Sequence, residues 1–162
     1  MSVNLFLVRH AEPSVTGVLL GQCDPGLSER GRAQAAGLLA GVELEMVYSS
    51  PLRRALETAV LMARGARIEV IDDLREITFG AWDGRKWEDI EKRDPELAAS
   101  KLRDWRGVTL EGAEAWSDFA ARVQRALERI AKGPRPAAVV AHAAVLNVIA
   151  QVDLEYGGVH EM

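Results

Sequence analysis

Leu7-Val8-Arg9-His10-Ala11-Glu12 closes a short apolar run, residues 3–8, with an arginine and a histidine side by side. A second apolar run, residues 137–141, also ends on a histidine, His142. Short apolar runs of this kind predict buried strands. Because ligands of open α/β sheets bind beyond the carboxyl ends of the strands, we expect the two histidines in one pocket.

The remaining chain alternates further strand and helix patterns. Strands are predicted at residues 44–48, 67–71 and near 152–159. One helix is predicted at residues 28–41, with Ser28 as N-cap and Gly41 as stop, and a second from Ser50 as N-cap to residue 62. Two or more helices are predicted within residues 87–103, and further helices at 113–131 and 143–150. The apolar face of the first helix is expected from Ala33, Ala36, Leu38, Leu39 and Ala40. The alternation predicts one domain over residues 1–162, an α/β fold built as a three-layer α/β/α sandwich around a mostly parallel central sheet.

The composition fits an ordinary globular protein of the cytoplasm. The 162 residues are 48% hydrophobic and carry a net charge of -4, which argues against a nucleic-acid partner because such binding needs a basic surface. The first apolar run is too short for a secretory signal, and no stretch is long enough to span a bilayer, so we expect no membrane partner. The single cysteine, Cys23, excludes an internal disulfide and a multi-cysteine zinc site, and it fits a reducing compartment.

His10 is the candidate nucleophile, with Arg9 as its neighbour. A neutral imidazole is reactive near pH 7 because its ordinary pKa is about 6.5. The guanidinium of Arg9 can bind two phosphate oxygens in a fork that lysine cannot form. Without further context, an Arg-His pair at a surface strand end explains this motif better.

Two more cationic positions are candidates for phosphate binding. Arg53 and Arg54 lie in the first turn of a predicted helix, where arginine is unfavourable unless an anion is bound there. A solvated arginine pair explains these residues about equally well. His142 ends its strand as His10 does, although a satisfied core histidine is the ordinary explanation of such a residue.

Glu76 is the candidate general acid. Phosphoryl transfer needs a proton for the leaving group, besides a nucleophile and positive donors. A carboxyl flanked by Phe79 and Trp82 is expected to be partly desolvated and to hold its proton near neutral pH. An ordinary loop glutamate is the alternative.

Several other catalytic motifs fail on spacing. Arg30 follows Cys23 one residue too late for the C-x5-R loop of cysteine phosphatases, so Cys23 is expected to be a pocket or packing residue. There is no D-x-D motif, no phosphate-binding P-loop and no G-x-G-x-x-G fingerprint. His10-Ala11-Glu12 matches the H-x-E of zinc deaminases, but one cysteine cannot supply their P-C-x-x-C.

Five segments together resemble the histidine phosphatase superfamily, also called phosphoglycerate mutase-like. The resemblance covers most of the chain and is specific in combination. Arg9-His10-Ala11-Glu12 is similar to R-H-G/A-E, residues 21–35 to G-x-x-D-x-x-L-[ST]-x-x-G-x-x-Q-A, and residues 49–59 to S-S-P-L-x-R-A-x-x-T-A. Residues 74–84 resemble the acid-bearing segment, and residues 139–143 resemble V-V-S-H-G.

The resemblance implies a role for each matched residue. His10 becomes phosphorylated, and Glu76 protonates the leaving oxygen. The phosphate-binding set is Arg9, His10, Arg54 rather than Arg53, His142 and Ala143. Neither a metal nor another cofactor is implied, because the cationic side chains balance the phosphate charge.

The resemblance also implies an activity, a metal-independent phosphomonoester hydrolase for a small phosphorylated metabolite. Residues 76–114 are compact and leave little for a lid, which favours hydrolysis over a cofactor-dependent phosphoglycerate mutase. The opening at Glu12-Pro13 and the Trp105 region resemble the α-ribazole phosphatase branch, with a substrate pocket at Leu20, Gly21, Gln22 and Cys23. A catalytically weak protein that binds phosphorylated ligands is the alternative of another class, and the choice between monomer and homodimer stays open.

Two departures from the family pattern bear on the pocket. Ala143 replaces the usual glycine, so its methyl group is expected to crowd the phosphate while its N–H is kept. Residues 152–159 resemble the final pocket-lining strand, but the helical connection before them is short, as it would be if a segment were missing from this sequence.

Overall fold

A computed structural model describes residues 4–162. The strands are β1 (Leu5–Arg9), β2 (Met46–Ser49), β3 (Arg67–Val70), β4 (Ala137–Ala141) and β5 (Val159–Glu161). The helices are α1 (Glu29–Gly37), α2 (Arg53–Met62), α3 (Trp87–Arg93), α4 (Pro95–Arg103), α5 (Trp116–Ala131) and α6 (Ala143–Ala150). Residue 3 of the first predicted strand lies outside the described residues.

The strands form one sheet in the order β3-β2-β4-β1-β5. β1 is parallel to β4, as are β4 to β2 and β2 to β3, whereas β5 is antiparallel to β1. The predicted mostly parallel sheet is therefore confirmed. Arg9 stands beside Ala141 in the register of β1 and β4, so both strands end at the same edge of the sheet.

Two apolar clusters cover the two faces of this sheet. On one face, Leu7 of β1 packs in a cluster with Phe119 of α5. On the other face, Val8 packs in a cluster with Met62 of α2. Since both faces are buried, a central strand must be apolar at successive positions, which explains the uninterrupted runs in the sequence. None of the helices within residues 4–162 has the length and apolar character needed to cross a bilayer.

Helix α1 begins as predicted but ends early. The Ser28 hydroxyl accepts a hydrogen bond from the Gly31 N–H at 2.9 Å and caps the helix. The helix ends at Gly37 rather than Gly41, and its buried residues are Gly31 and Ala35. Ala33 and Ala36 are exposed, so the predicted apolar face was wrong at these positions. The reason is that α1 approaches its neighbours through small residues rather than through a broad apolar stripe.

Two further predictions need correction. Ser50 does not cap α2, which begins at Arg53 with Leu52 as its N-cap. The Ser50 hydroxyl instead accepts a hydrogen bond from the Leu52 N–H at 3.2 Å. Residues 152–158 form no strand, and β5 begins only at Val159. Gly157 has φ 69°, a left-handed conformation that makes a turn where an extended strand was predicted.

The close contact of α1 with the loop after His10 predicts opposite effects for two glycine substitutions. A Cβ at Gly31 would lie 2.1 Å from the Glu12 carbonyl oxygen, whereas one at Gly37 meets nothing within 4 Å. We expect Gly31→Ala to destabilise the fold by about 1–3 kcal/mol through overpacking. Gly37→Ala, the matched control, should stabilise it by up to about 1 kcal/mol. Urea unfolding of both variants measures this, and equal effects would contradict the packing described here.

Candidate active site

A cavity of about 420 Å³ opens beyond the carboxyl ends of β1 and β4. This is the expected place for a ligand in a sheet of this kind. Four of the five predicted catalytic residues line it, namely Arg9, His10, Arg54 and Glu76. Ala143, at the start of α6, lines it as well.

His10 is held as a neutral imidazole with one defined tautomer. Its ring Nδ1 lies 2.8 Å from the Ala11 carbonyl oxygen. A carbonyl oxygen only accepts, so Nδ1 carries the hydrogen and Nε2 keeps its lone pair. Burial, together with the charges of Arg54 and Arg9, lowers the pKa of His10 to about 3. At neutral pH, Nε2 is therefore available as a nucleophile.

Arg54 is the buried member of the arginine pair, as the sequence comparison predicted. Its guanidinium donates to the carbonyls of Cys23 at 2.7 Å and Gly21 at 3.1 Å. Its Nε is buried without a hydrogen-bond partner. Arg53, in contrast, is exposed and pairs with Glu57 at 3.1 Å. Only Arg54 of the two lines the cavity.

Arg9 is fixed by the irregular segment that follows α6. Its Nη1 donates to the Leu154 carbonyl at 2.8 Å. Its guanidinium lies 4.3 Å from the centre of the Tyr156 ring, which is a cation–π contact. The Nε of Arg9 is buried and has no hydrogen-bond partner. The guanidinium is thus oriented from one side and left with a free donor.

His142 stands beside His10 but does not line the cavity wall. The two ring centres are 5.2 Å apart, and the His142 side chain is fully buried. Its Nε2 lies 2.8 Å from the Ser50 hydroxyl, while its Nδ1 is buried without a partner. Burial lowers its pKa well below the usual value. The expected convergence of the two strand ends is present, with His142 packed against His10.

Glu76 combines a protonatable carboxyl with direct access to the cavity. Its two oxygens accept from the Ile77 N–H at 3.0 Å and from the Ala144 N–H at 3.3 Å. Burial raises its pKa, although these N–H groups and the charges of Arg54 and Arg9 oppose the rise. The carboxyl therefore holds a proton to higher pH than an exposed glutamate does.

The environment predicted for Glu76 is only half correct. Phe79 lines the same cavity, but Trp82 packs in a separate apolar cluster with Ile90 and Leu110. Sequence reasoning also missed Arg122 of α5. Its guanidinium donates to the Glu76 carbonyl at 3.1 Å and binds both carboxylate oxygens of Glu114, at 2.7 and 2.9 Å. Arg122 therefore anchors the backbone that carries Glu76.

The predicted substrate pocket at residues 20–23 needs a correction. Leu20 and Gly21 line the cavity, but Gln22 and Cys23 are not among its lining residues. Gln22 Nε2 instead donates to the Glu76 carbonyl at 2.6 Å, and the Cys23 carbonyl accepts from Arg54. These two residues therefore support the site without lining it. Gln22 holds the backbone of Glu76, and Cys23 holds the guanidinium of Arg54.

The outer part of the cavity combines residues that sequence reasoning indicated with residues that it missed. Aromatic side chains come from four segments, and polar ones lie between them. These lining residues are Phe79, Trp105, Trp116 and Tyr156, with Arg106, Asn147 and Asp153. Trp116 follows the helical spacing of the apolar residues in α5, a pattern that indicates a core residue, yet it lines the cavity. Phe79 and the Trp105 region were singled out in the sequence, and residues 152–159, which include Asp153 and Tyr156, were expected to line the pocket. No local pattern marked Arg106 or Asn147, since their position at the cavity depends on the tertiary fold.

Comparisons with known proteins agree with this site. The model of the histidine phosphatase superfamily, branch 1, matches residues 5–157. The chain belongs to this superfamily. It is 37% identical over 163 aligned residues to the bifunctional protein Rv2228c of Mycobacterium tuberculosis, covering 94% of this chain and 44% of that protein. It is 37% identical to phosphoserine phosphatase 1 of Hydrogenobacter thermophilus, covering 80% of this chain and 65% of that protein.

The fold agrees with a solved member of the superfamily. The structure of the α-ribazole phosphatase from Shigella flexneri superposes with a TM-score of 0.85 at 28% identity. The match covers 98% of this chain and 89% of that one. The chain spans less than two thirds of the length of the two relatives compared by sequence, 44% and 65%.

Among residues 4–162, three buried nitrogen atoms at this histidine phosphatase site lack hydrogen-bond partners. They are Arg9 Nε, Arg54 Nε and His142 Nδ1. Buried polar groups are almost always hydrogen-bonded, and unpaired ones call for an explanation. Two guanidinium donors beside a neutral imidazole suit a tetrahedral oxyanion. Within residues 4–162, no group of three or more His, Cys, Asp or Glu side chains is arranged to hold a metal ion.

The unequal burial of the two adjacent arginines predicts unequal effects on anion binding. Orthovanadate at a hundredfold its Kd should stabilise the protein by about 2.7 kcal/mol and raise Tm by roughly 5–10 °C. We expect Arg54→Met to abolish this shift, because the buried guanidinium is lost. Arg53→Met should retain it, since Arg53 pairs with Glu57 outside the cavity. Thermal unfolding with and without vanadate measures the difference, and a full shift in R54M would refute the assignment.

Proposed function

We propose that this chain hydrolyses small phosphomonoesters through a phosphohistidine on His10. The observation that carries the proposal is the tautomer of His10, which is neutral and keeps a lone pair on Nε2. Arg9 and Arg54 supply positive charge beside it, and Glu76 supplies a proton from the same cavity. A cytoplasmic location is part of the proposal, because the one thiol, Cys23, suits a reducing compartment.

The reaction has two displacements at phosphorus. In the first, His10 Nε2 attacks, the P–O ester bond breaks, and Glu76 donates its proton to the leaving oxygen. In the second, a water molecule attacks the phosphohistidine, Glu76 takes the proton of that water, and the P–N bond breaks. His10 is neutral again and inorganic phosphate leaves. Arg9 and Arg54 balance the charge on the phosphoryl oxygens in both steps, so the proposed reaction uses no metal.

The aromatic wall of the cavity favours α-ribazole phosphate over phosphoserine as the substrate. Relatives bear names for both activities. Phosphoserine has no ring, whereas α-ribazole is a nucleoside with a flat fused base. Phe79, Trp105 and Trp116 line the outer part of the cavity, hereafter the outer chamber. The alcohol half of the substrate would bind in this chamber. Stacking on such side chains contributes about 0.5–1.5 kcal/mol beyond the area buried.

Loss of the nucleophile should abolish hydrolysis. We expect wild-type protein to hydrolyse p-nitrophenyl phosphate in the presence of EDTA, and His10→Ala to lose roughly 10⁴-fold or more in kcat. His160→Ala is the matched control, because His160 lies on β5, where it pairs with Leu7. Label from a ³²P-substrate should be trapped on wild type quenched in base, and not on H10A.

Two results would contradict the proposal. The first is undiminished activity in H10A. The second is conversion of 3-phosphoglycerate in the presence of 2,3-bisphosphoglycerate at a rate exceeding hydrolysis, which would make the protein a mutase. Tight binding of phosphate esters without turnover in wild type would instead indicate the phospho-ligand binding alternative.

The raised pKa of Glu76 predicts the shape of the pH profile. Because the pKa of His10 is about 3, kcat/KM should show no acidic limb near the ordinary histidine value of about 6.5. A general acid must be protonated, so activity should fall as pH rises through the raised pKa of Glu76. Glu76→Gln should remove this alkaline limb and lower kcat/KM for alkyl phosphates by about 10²–10⁴-fold.

The leaving group provides the control for that experiment. p-Nitrophenolate departs without a proton, so E76Q should lose much less kcat/KM, which reports the first displacement, with p-nitrophenyl phosphate than with an alkyl phosphate. An equal loss of kcat/KM with both substrates would show that Glu76 does not act as the acid.

A further inference from the structure

Lys101 is a lysine buried beneath the wall of the cavity. It lies in α4, and its side chain is 6% exposed. Its ammonium group donates to the Trp105 carbonyl and, at 2.7 Å, to the Val108 carbonyl. The same nitrogen lies 5.1 Å from the centre of the Trp105 ring. Three contacts of this one group therefore converge on the turn that follows α4.

A buried ammonium is costly unless its hydrogen bonds are replaced. Burial lowers the pKa of Lys101, and the nearby carboxylate of Asp104 opposes that change. The two carbonyls and the aromatic ring offset the lost hydration. A residue held at such a cost constrains the groups that bind it, here the backbone of residues 105 and 108.

The turn at residues 104–108 has no helix or strand to fix it. Its other support is Asp104, which accepts from the Gly107 N–H at 2.9 Å through Oδ1 and from the Val108 N–H at 3.1 Å through its carbonyl. These bonds close the turn on itself, and the Asp104 N–H attaches its first residue to the Ser100 carbonyl of α4 at 3.1 Å. Lys101 attaches residues 105 and 108, farther along the turn, to the same helix.

The turn carries two lining residues of the cavity. The Trp105 ring meets the Phe79 ring edge-on at 5.9 Å and lies 6.1 Å from the Trp87 ring. Arg106 donates to Asn147 Oδ1 at 2.9 Å and stacks over Trp116 at 4.8 Å. Trp105, Arg106 and Asn147 all line the outer chamber. A shift of the turn would therefore change the shape of this chamber while His10 and Arg54, on other elements, stay in place.

We propose that Lys101 is a positioning residue that selects the alcohol half of the substrate by fixing Trp105 and Arg106 in the cavity wall. The class it selects is a phosphomonoester whose alcohol carries a flat ring. The proposal rests on the hydrolase function above, but it concerns binding in the outer chamber and not the chemistry at His10.

Two matched substrates test this selection. 2-Phenylethyl phosphate and ethyl phosphate share a primary alkyl leaving group and differ only in the ring. We expect wild type to prefer the ring-bearing ester. Lys101→Met, which keeps the apolar stem, should lower kcat/KM for 2-phenylethyl phosphate about tenfold, mostly through KM, as loss of one aromatic contact predicts. Ethyl phosphate should be hydrolysed within about twofold of wild type, which also shows that the variant folds.

A double-mutant cycle separates positioning from general destabilisation. Trp105→Leu should lower the ring preference as K101M does, and the double variant should lose no more than W105L alone, because Lys101 acts through Trp105. Lys92→Met, which removes an exposed lysine of α3, is the control and should behave as wild type. Lys101→Gln provides a second measure should K101M fail to fold.

Four outcomes would overturn the proposal. They are an unchanged ring preference in K101M or K101Q, an equal loss with both esters, additive losses in the double variant, and a wild type without ring preference. Calorimetry with the non-hydrolysable isosteres 3-phenylpropylphosphonate and propylphosphonate gives the same comparison without turnover. A wild type that hydrolyses neither ester but prefers the phenyl phosphonate, with the preference lost in K101M, would refute the hydrolase and uphold the role of Lys101.

Discussion

The hydrogen bond from the His10 N–H to the Ala141 carbonyl, 3.0 Å long, joins the ends of two buried strands. Because β1 and β4 are parallel and in register, His10 and His142 leave the sheet at one edge. The N–H of Ser50, the residue after β2, donates to the Val140 carbonyl at 3.1 Å. This bond places the Ser50 hydroxyl beside His142. A slip of one residue would turn every side chain of a strand to the opposite face. The chemistry therefore depends on the register of three central strands.

The charge distribution of the site follows from what the guanidinium groups bind. Arg9 and Arg54 donate to backbone carbonyls, so no carboxylate neutralises them through these bonds. Arg122 shows the contrast, because it pairs with Glu114 and serves structure. Burial, helped by the positive charge of Arg54 and Arg9, keeps His10 neutral, and both guanidinium groups keep a donor for an incoming anion. Arrival of a phosphate ester would further favour the protonated form of Glu76, because the added negative charge disfavours the carboxylate.

The meeting of Arg9, His10, Arg54 and Glu76 at one cavity could be predicted from sequence, and the outer wall only in part. Arg9 and His10 follow a buried strand directly, and Arg54 follows a Ser-Ser-Pro turn, so local pattern and family resemblance sufficed for them. Gln22 and Cys23 were placed in the pocket because their segment resembles the family pattern, but a sequence does not tell which side of a loop faces inward. Trp116 follows the period of a core helix, and the pattern is the same whether the neighbour is another helix or a cavity. In the sequence, Lys101 cannot be told from an exposed helical lysine, because its burial depends on the turn at residues 104–108.

The segment that supplies much of the outer wall has an apolar cluster of its own, made of Trp82, Ile90, Ala98 and Leu110. This cluster is separate from the two that cover the sheet. It meets one of those two clusters through Phe79, so substitutions in it reach the central strands less directly than substitutions in the clusters on the sheet. During evolution, the substrate preference of such a chain can therefore change through substitutions in this segment, while the residues at the ends of the central strands stay the same.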